Sequence, residues 1–313
     1  MIVDWKTMTR EELIAIYEPI IRNHDILAFA VAWHDGLVGA HNAKNWRDFY
    51  RTWMRVKDYP LMWDIHYKQP VTKQHKISVC TVAGNRLKDI QQTLPLNIKD
   101  SEGYPAEFNL IDYGSTDGLE EWVKGNMMHH IESGLLNYYK VLGVKHFDLT
   151  HSRNIGFKLG TGDILTNFDA DNIITDGLLS HINYIANQIP EKMVIVRAGR
   201  TYGNISFYRD DFFLLNGYNE DLKGRGAVAY HLQLRALEMG FTLGYYKEHR
   251  EFAKNDYPIS INMDKKFKNY KIAYDQNMFK IYANIMLGKL IANEGKEWGK
   301  ATVIKNFKEE INT

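Results

Sequence analysis

Asp169-Ala170-Asp171 closes the apolar run Asp163-Ile164-Leu165-Thr166-Asn167-Phe168 and sets two carboxylates two residues apart. In a turn at a strand end, such a pair can converge on one hard cation, Mg²⁺ or Mn²⁺, with positions left open for diphosphate oxygens. A local role competes with this, because aspartates at such places also cap helices or close Asx-turns. The surroundings favour chemistry. Arg153-Asn154-Ile155-Gly156 and Gly160-Thr161-Gly162-Asp163 lie just upstream. A second acidic cluster, Asp112-Tyr113-Gly114-Ser115-Thr116-Asp117-Gly118, follows an earlier apolar run, and its Asp117 reads as a cap for the next helix.

Carboxylates at strand ends need strands, and from His75 the chain supplies them in alternation with helices. Lys76 to Val82 is a short apolar strand, followed by the turn Ala83-Gly84-Asn85-Arg86 and a helix from Leu87 to Asn97. Further strands are expected at Glu107 to Ile111, Asn137 to Leu142, Asp163 to Phe168 and Phe241 to Glu248, with a helix at His151 to Leu159. This alternation predicts an α/β domain with a mostly parallel sheet flanked by helices. Ligands of that architecture collect at the carboxyl ends of the strands, where the Asp112 and Asp169 clusters fall.

Either side of this domain, over residues 75–255, the pattern is helical. In 1–74, Thr9-Arg10-Glu11-Glu12 is a capping box, and Trp46, Phe49, Tyr50 and Trp53 share a face of a helix over 45–56. Residues 256–313 read as a helical C-terminal extension, with the helix near 265–293.

The 313 residues carry a formal charge of +1, with 45% apolar and 25% charged, which is ordinary for a soluble globular protein. That balance argues against electrostatic capture of nucleic acid by the whole molecule. The single cysteine, Cys80, excludes an intrachain disulfide and a cysteine-rich zinc site, and its apolar run makes it a core residue. No stretch approaches the roughly 20 apolar residues that span a bilayer, and the first residues lack a signal-peptide pattern. A cytoplasmic location without membrane contact is the expectation.

In order and spacing, SVCTVAGNR, LIDYGSTDGLEEWV and HSRNIGFKLGTGDILTNFDADN resemble three segments of family-2 glycosyltransferases of the GT-A fold. These are that family's first strand and turn, its DDGSTDGT segment and its RN-x-G…TGD…DAD segment. The resemblance spans about residues 76–250. It implies a Rossmann-like, mostly parallel sheet and transfer of a hexosyl or pentosyl unit from a nucleoside-diphosphate sugar, a UDP-sugar foremost, with Mn²⁺ or Mg²⁺. By position it implies that Thr81, Ala83 and Asn85 line the nucleotide and that Asp112 accepts a hydrogen bond from the base. Arg153 would neutralise donor charge, Asp169 would approach the ribose or the metal, and Asp171 would ligate the metal. His249 would be a further metal ligand, although a lone histidine is more often structural. Phe207 to Phe212 and Asn216 to Glu220 resemble the acceptor-side stretch.

One segment departs from the pattern. The family's G-W-G-x-E-D-x-D-L meets Gly224-Arg225-Gly226-Ala227-Val228-Ala229-Tyr230-His231-Leu232. Val228 and Ala229 stand where an acidic pair would bind acceptor and take its proton, which neither can do. Three explanations stay open. Asp221, Glu220, Asp211 or His231 serves as the base; or the enzyme retains configuration and needs no such base; or the domain binds sugar nucleotides or glycans without turnover. For His231 a place in the core or on a helix surface is the plainer reading.

Arg47, Arg51 and Arg55 recur every four residues beside the aromatic face of the N-terminal helix. Such a stripe is either solvated or holds a polyanion. It raises a phage-type transferase acting on hydroxymethylated DNA bases in a host cytoplasm, beside glycan and small-molecule acceptors. A glycosidase pair fits less well, since its two acids flank a bond rather than share one turn. Sugar and oligomeric state are not written in any of these patterns.

Overall fold

The structure, a computed structural model, describes residues 70–175, 177–197, 203–224, 226–246, 250–253 and 270–313. The expected N-terminal helices, the arginine stripe and His249 lie outside the described residues.

The first half alternates as expected: β1 (Ile77–Ala83), α1 (Leu87–Asp100), β2 (Ala106–Asp112), α2 (Leu119–Asn126), α3 (Met128–Glu132), β3 (Leu136–Val141), α4 (Leu149–Leu159) and β4 (Ile164–Asn167). Then come β5 (Asn172–Ile174), α5 (Leu178–Gln188), β6 (Met193–Arg197), β7 (Ile205–Tyr208), α6 (Arg209–Leu214), α7 (Val228–Glu238), β8 (Thr242–Tyr246), β9 (Arg250–Phe252) and α8 (Tyr270–Met286). The chain returns as β10 (Thr302–Lys305) and β11 (Glu309–Asn312).

The described strands form a nine-stranded sheet in the order β11-β10-β3-β2-β1-β4-β7-β6-β8, and β5 pairs with β9 apart from it. β1 is parallel to both β2 and β4, whereas β7 is antiparallel to β4 and β6. Every residue of β1 is buried, as a central strand covered on both faces must be. Its side chains alternate between two cores. Ile77, Val79 and Ala83 join Ile90, Leu94 and Ile98 of α1 and Ile182 and Ile185 of α5. Cys80 faces Phe157 of α4, Phe207 and Phe212, and Val82 packs with Ile111 and Ile155. Pro95 inside α1 is tolerated because it lies on the exposed face, where water can serve the carbonyl it leaves unbonded.

The C-terminal part differs from a helical appendage. The helix is present as α8, but beyond it the chain turns back and adds β10, antiparallel to β3, to the main sheet. Val303 is fully buried against Tyr139 and Val141. The apolar alternation over 302–311 is too short and too polar to stand out by periodicity alone.

Candidate active site

β1 runs parallel to both β2 and β4, so their carboxyl ends lie on one edge of the sheet, the crevice side of an architecture of this kind, and the turns beyond them are held by backbone and side-chain bonds. Phe168 donates its N–H to the Cys80 carbonyl (3.1 Å), which carries β4 past its last residue and aims Asp169-Ala170-Asp171 into the crevice. Helix α1 fixes this turn from behind. The Thr93 hydroxyl donates to the Ala170 carbonyl (2.8 Å), and Asn97 bonds Asn172 and Ile174 (2.9 and 2.8 Å). From the other side, the Ala253 N–H donates to the Asp171 carbonyl (2.8 Å), where β9 pairs with β5.

Asp169 is 40% exposed, and its Oδ1 takes a 2.6 Å ion pair from Arg153, whose side chain is 4% exposed. Burial disfavours the Arg153 charge, but the Asp169 carboxylate beside it outweighs this and holds the guanidinium more firmly protonated than usual. Asp171 accepts from the Asn172 amide (2.7 Å). Its carboxyl is pushed above the ordinary range, first by burial and then by the negative charges of Asp169 and Asp89. Two acids that crowd each other in this way favour a shared cation. A side chain at Gly203 would put its Cβ 3.1 Å from Asp169 Oδ2, so glycine keeps that oxygen clear. Among the described residues no third acid, histidine or cysteine completes a metal-holding group.

Other expected positions resolve differently. Thr81 and Ala83 are buried at the end of β1. Asn85 (φ 55°) spends its carbonyl oxygen on the Thr116 N–H (2.6 Å), clasping the β1 turn to the β2 turn. Asp112, expected to meet the base, is 1% exposed, and its two oxygens accept from the Ser115 N–H and the Tyr138 hydroxyl. Asp117 does not cap α2: it accepts from the Leu87 N–H (2.8 Å) at the start of α1. Arg153 faces Asp169, and Tyr218 stacks under it with the guanidinium 5.6 Å from the ring centre.

The four candidate bases stand in four different settings. Asp211 bonds the Met193 N–H (3.1 Å) at the start of β6, on the opposite edge of the sheet. Burial raises its carboxyl above the ordinary range. Glu220 accepts from the Asn154 amide (2.8 Å) and the Gly299 N–H (2.7 Å) and so ties α4 to the C-terminal segment. Asp221 is 61% exposed and paired with Lys296 (2.8 Å). His231 is 1% exposed on α7, and burial, then Arg235 beside it, keeps its imidazole neutral.

Residues 78–233 match the model of the glycosyl transferase family 2. The chain is a glycosyltransferase of the GT-A fold that carries a family-2 domain over these residues. A mannosyltransferase from Pyrobaculum calidifontis, PcManGT, in complex with GDP-Man and Mn²⁺, shares the fold at 17% identity and a TM-score of 0.52, over 89% of this chain and 84% of that one. GalNAc-T7 with UDP, GalNAc and Mn²⁺ aligns at 17% identity and 0.49, over 67% and 50%. TarS 1-349 of S. aureus aligns at 17% and 0.45, over 55% and 58%. No curated protein matches in sequence. No described helix of the glycosyltransferase is long and apolar enough to cross a membrane.

Motif reading missed the supports of the site: Thr93, Asn97, Tyr138 and Tyr218. Their spacing carries a weak signal, since Thr93 and Asn97 stand one helical turn apart among apolar α1 positions.

Proposed function

We propose that the glycosyltransferase moves a sugar from a nucleoside-diphosphate donor to an acceptor hydroxyl, with a divalent cation held by Asp169 and Asp171. The carrying observation is the placement of both carboxylates in one turn past the carboxyl end of β4, a turn held by Thr93 and by the Ala253 N–H, with Arg153 paired to Asp169. Bound there, the cation would supply Lewis-acid stabilisation of the departing diphosphate. The protein's own part is to fix the two acids: Arg153 sets Asp169, Asn172 sets Asp171, and α1 with β9 sets the backbone between them. The GDP-Man and Mn²⁺ bound by the mannosyltransferase of the same fold support this reading. UDP-sugars remain the first donors to try, with GDP-sugars beside them. A hydroxymethylated DNA base as acceptor rests on the arginine stripe alone.

The test is a donor screen by mass shift with UDP- and GDP-sugars and Mn²⁺, run with wild type and Asp171→Ala. Donor consumption by wild type and a loss of at least about a hundredfold in the variant are expected. Full activity of Asp171→Ala without added metal would end the reading.

A further inference from the structure

The C-terminal segment reaches the donor side of the molecule through one histidine. His151, in the first turn of α4, lies between the turn after β2 and the chain beyond α8. Its Nδ1 is 2.8 Å from the Tyr113 hydroxyl, and its Nε2 is 3.1 Å from the Lys300 carbonyl. A carbonyl only accepts, so Nε2 carries the proton and Nδ1 accepts from the phenol. The tautomer, and with it the direction of both bonds, is set by the C-terminal backbone. Tyr113 is 6% exposed, and its N–H donates to the Ala83 carbonyl (2.7 Å), so it joins the ends of β1 and β2. Its ring meets Phe147 edge-on at 5.7 Å. Phe147 in turn lies so close over Gly84 that a Cβ there would stand 2.8 Å from its ring. Tyr113, Phe147 and Gly84 thus pack into one aromatic wall at the carboxyl ends of β1 and β2.

Other bonds hold Lys300 in place. The Thr313 hydroxyl donates to the Gly299 carbonyl and accepts from the Ala301 N–H (2.9 Å), bracketing Lys300. Gly299 donates to Glu220, and a Cβ at Gly299 would lie 3.0 Å from Asn154 Cβ, so this stretch is pressed onto α4. Three neighbouring residues of α4 therefore work in different directions: His151 toward Tyr113, Arg153 toward Asp169 and Asn154 toward Glu220.

We propose that His151 is a positioning residue: braced by the Lys300 carbonyl, it fixes the Tyr113 phenol and so the aromatic wall and the β2 turn that a nucleotide donor would meet. The inference rests on the donor reading above for its meaning in catalysis, but not for its geometry. It accounts for a fold in which the C-terminal chain leaves α8 and returns across α4.

The experiment uses the full chain and two readouts. The first is affinity for UDP and for GDP with Mn²⁺, by calorimetry. The second needs no ligand: amide exchange at Ser115 and Thr116, whose N–H groups bond Asp112 and Asn85. His151→Leu and Tyr113→Phe should each weaken nucleotide binding and speed this exchange about tenfold, as the loss of a bond that leaves a buried partner unpaired does. The double variant should be no worse than either single one, because both remove the same link. His151→Gln, which can donate and accept at once, should stay within about threefold of wild type. Thr313→Val should shift both readouts in the same direction, by less. Unchanged exchange and binding in His151→Leu, or effects that add in the double variant, overturn the inference. If wild type binds neither nucleotide while the exchange pattern holds, the donor reading fails and the positioning role stands.

Discussion

The two edges of the central sheet are both rich in polar side chains, yet they treat charge in opposite ways. At the amino edge, Glu107 lies between the starts of β1 and β2 and accepts from Lys76 Nζ (2.7 Å), Ser78 Oγ (2.6 Å), Thr161 N (2.6 Å) and Thr161 Oγ1 (2.7 Å). Burial pushes this carboxyl up, but the hydrogen bonds outweigh it and hold it at about 2. Asp163 on the same edge accepts from the Lys76 N–H (3.0 Å). At the carboxyl edge, Asp171 is pushed the other way, by burial and by Asp169. Both edges pair acids with donors, but hydrogen bonds outweigh burial at Glu107, whereas at Asp171 burial and the Asp169 charge win although Asp169 is itself paired with Arg153. Thr161-Gly162-Asp163 and Asp169-Ala170-Asp171 are neighbours in one stretch of sequence, but β4 separates them by its whole length. The first staples the sheet and the second leaves chemistry unfinished.

The largest expected effect tests the carboxyl edge. Asp171→Asn should cut transfer by at least about a hundredfold. It should not destabilise the fold at neutral pH. A raised folded-state pKa means that ionisation of Asp171 costs the native state, a cost that is absent at low pH and grows as pH rises. Thermal melts at pH 7 should show equal or higher stability; a clear drop would mean that the pair is structural.

At the amino edge the prediction reverses. Gly162→Ala would place a Cβ 2.7 Å from the Lys76 carbonyl and 2.8 Å from the Ser78 nitrogen, backbone atoms just before and within the start of β1. Relief requires moving a central strand, at about 1–3 kcal/mol. Denaturant unfolding should show that loss, with the nucleotide affinity of the remaining folded protein unchanged. Reduced affinity at full stability would join the two edges after all.

Much of the fold was legible because its signals are local. The strands β1 to β4 are apolar runs ended by turn residues, and α4 begins at Asp148, which caps it by accepting from the His151 N–H (3.2 Å). The Asp169-Ala170-Asp171 turn was legible for the same reason. What was not legible depends on residues far apart in sequence. Asp112 looks free as a base acceptor until Tyr138 is brought 26 positions to its carboxylate. Asp117 looks like a cap for α2, whereas its carboxylate reaches 30 positions back to α1. Glu220 offers a carboxylate on paper, and one of its oxygens is taken by Asn154 and by Gly299, 79 positions on. Local patterns show where polar groups stand; tertiary contacts decide which of them remain available.

Glu107→Gln should sharpen the contrast by pH. With its folded value near 2, the Glu107 carboxylate adds stability that is complete above its ordinary range and is lost as pH falls toward 2. The half-exposed Lys76 partner is screened, so about 2 kcal/mol is expected at neutral pH. The variant should melt lower at pH 7 and show a flatter acid limb between about pH 4.5 and 2. An acid limb parallel to wild type would mean that other carboxylates govern acid unfolding.

The smallest effect is expected from Asp221→Asn, and it decides whether any acid outside the crevice takes part. Asp221 and Lys296 are both about 60% exposed, so their pair contributes 0–1 kcal/mol by the usual run of surface ion pairs, roughly. The backbone at Asp221 is held locally, its carbonyl by Lys280 of α8 and its N–H by the Asn219 side chain of the same loop. Stability within about 0.5 kcal/mol of wild type and transfer within about threefold are expected. A hundredfold loss of kcat with donor KM unchanged would instead make Asp221 the missing base, and would require the loop from Asn216 to Lys223 to swing across the carboxyl edge during turnover.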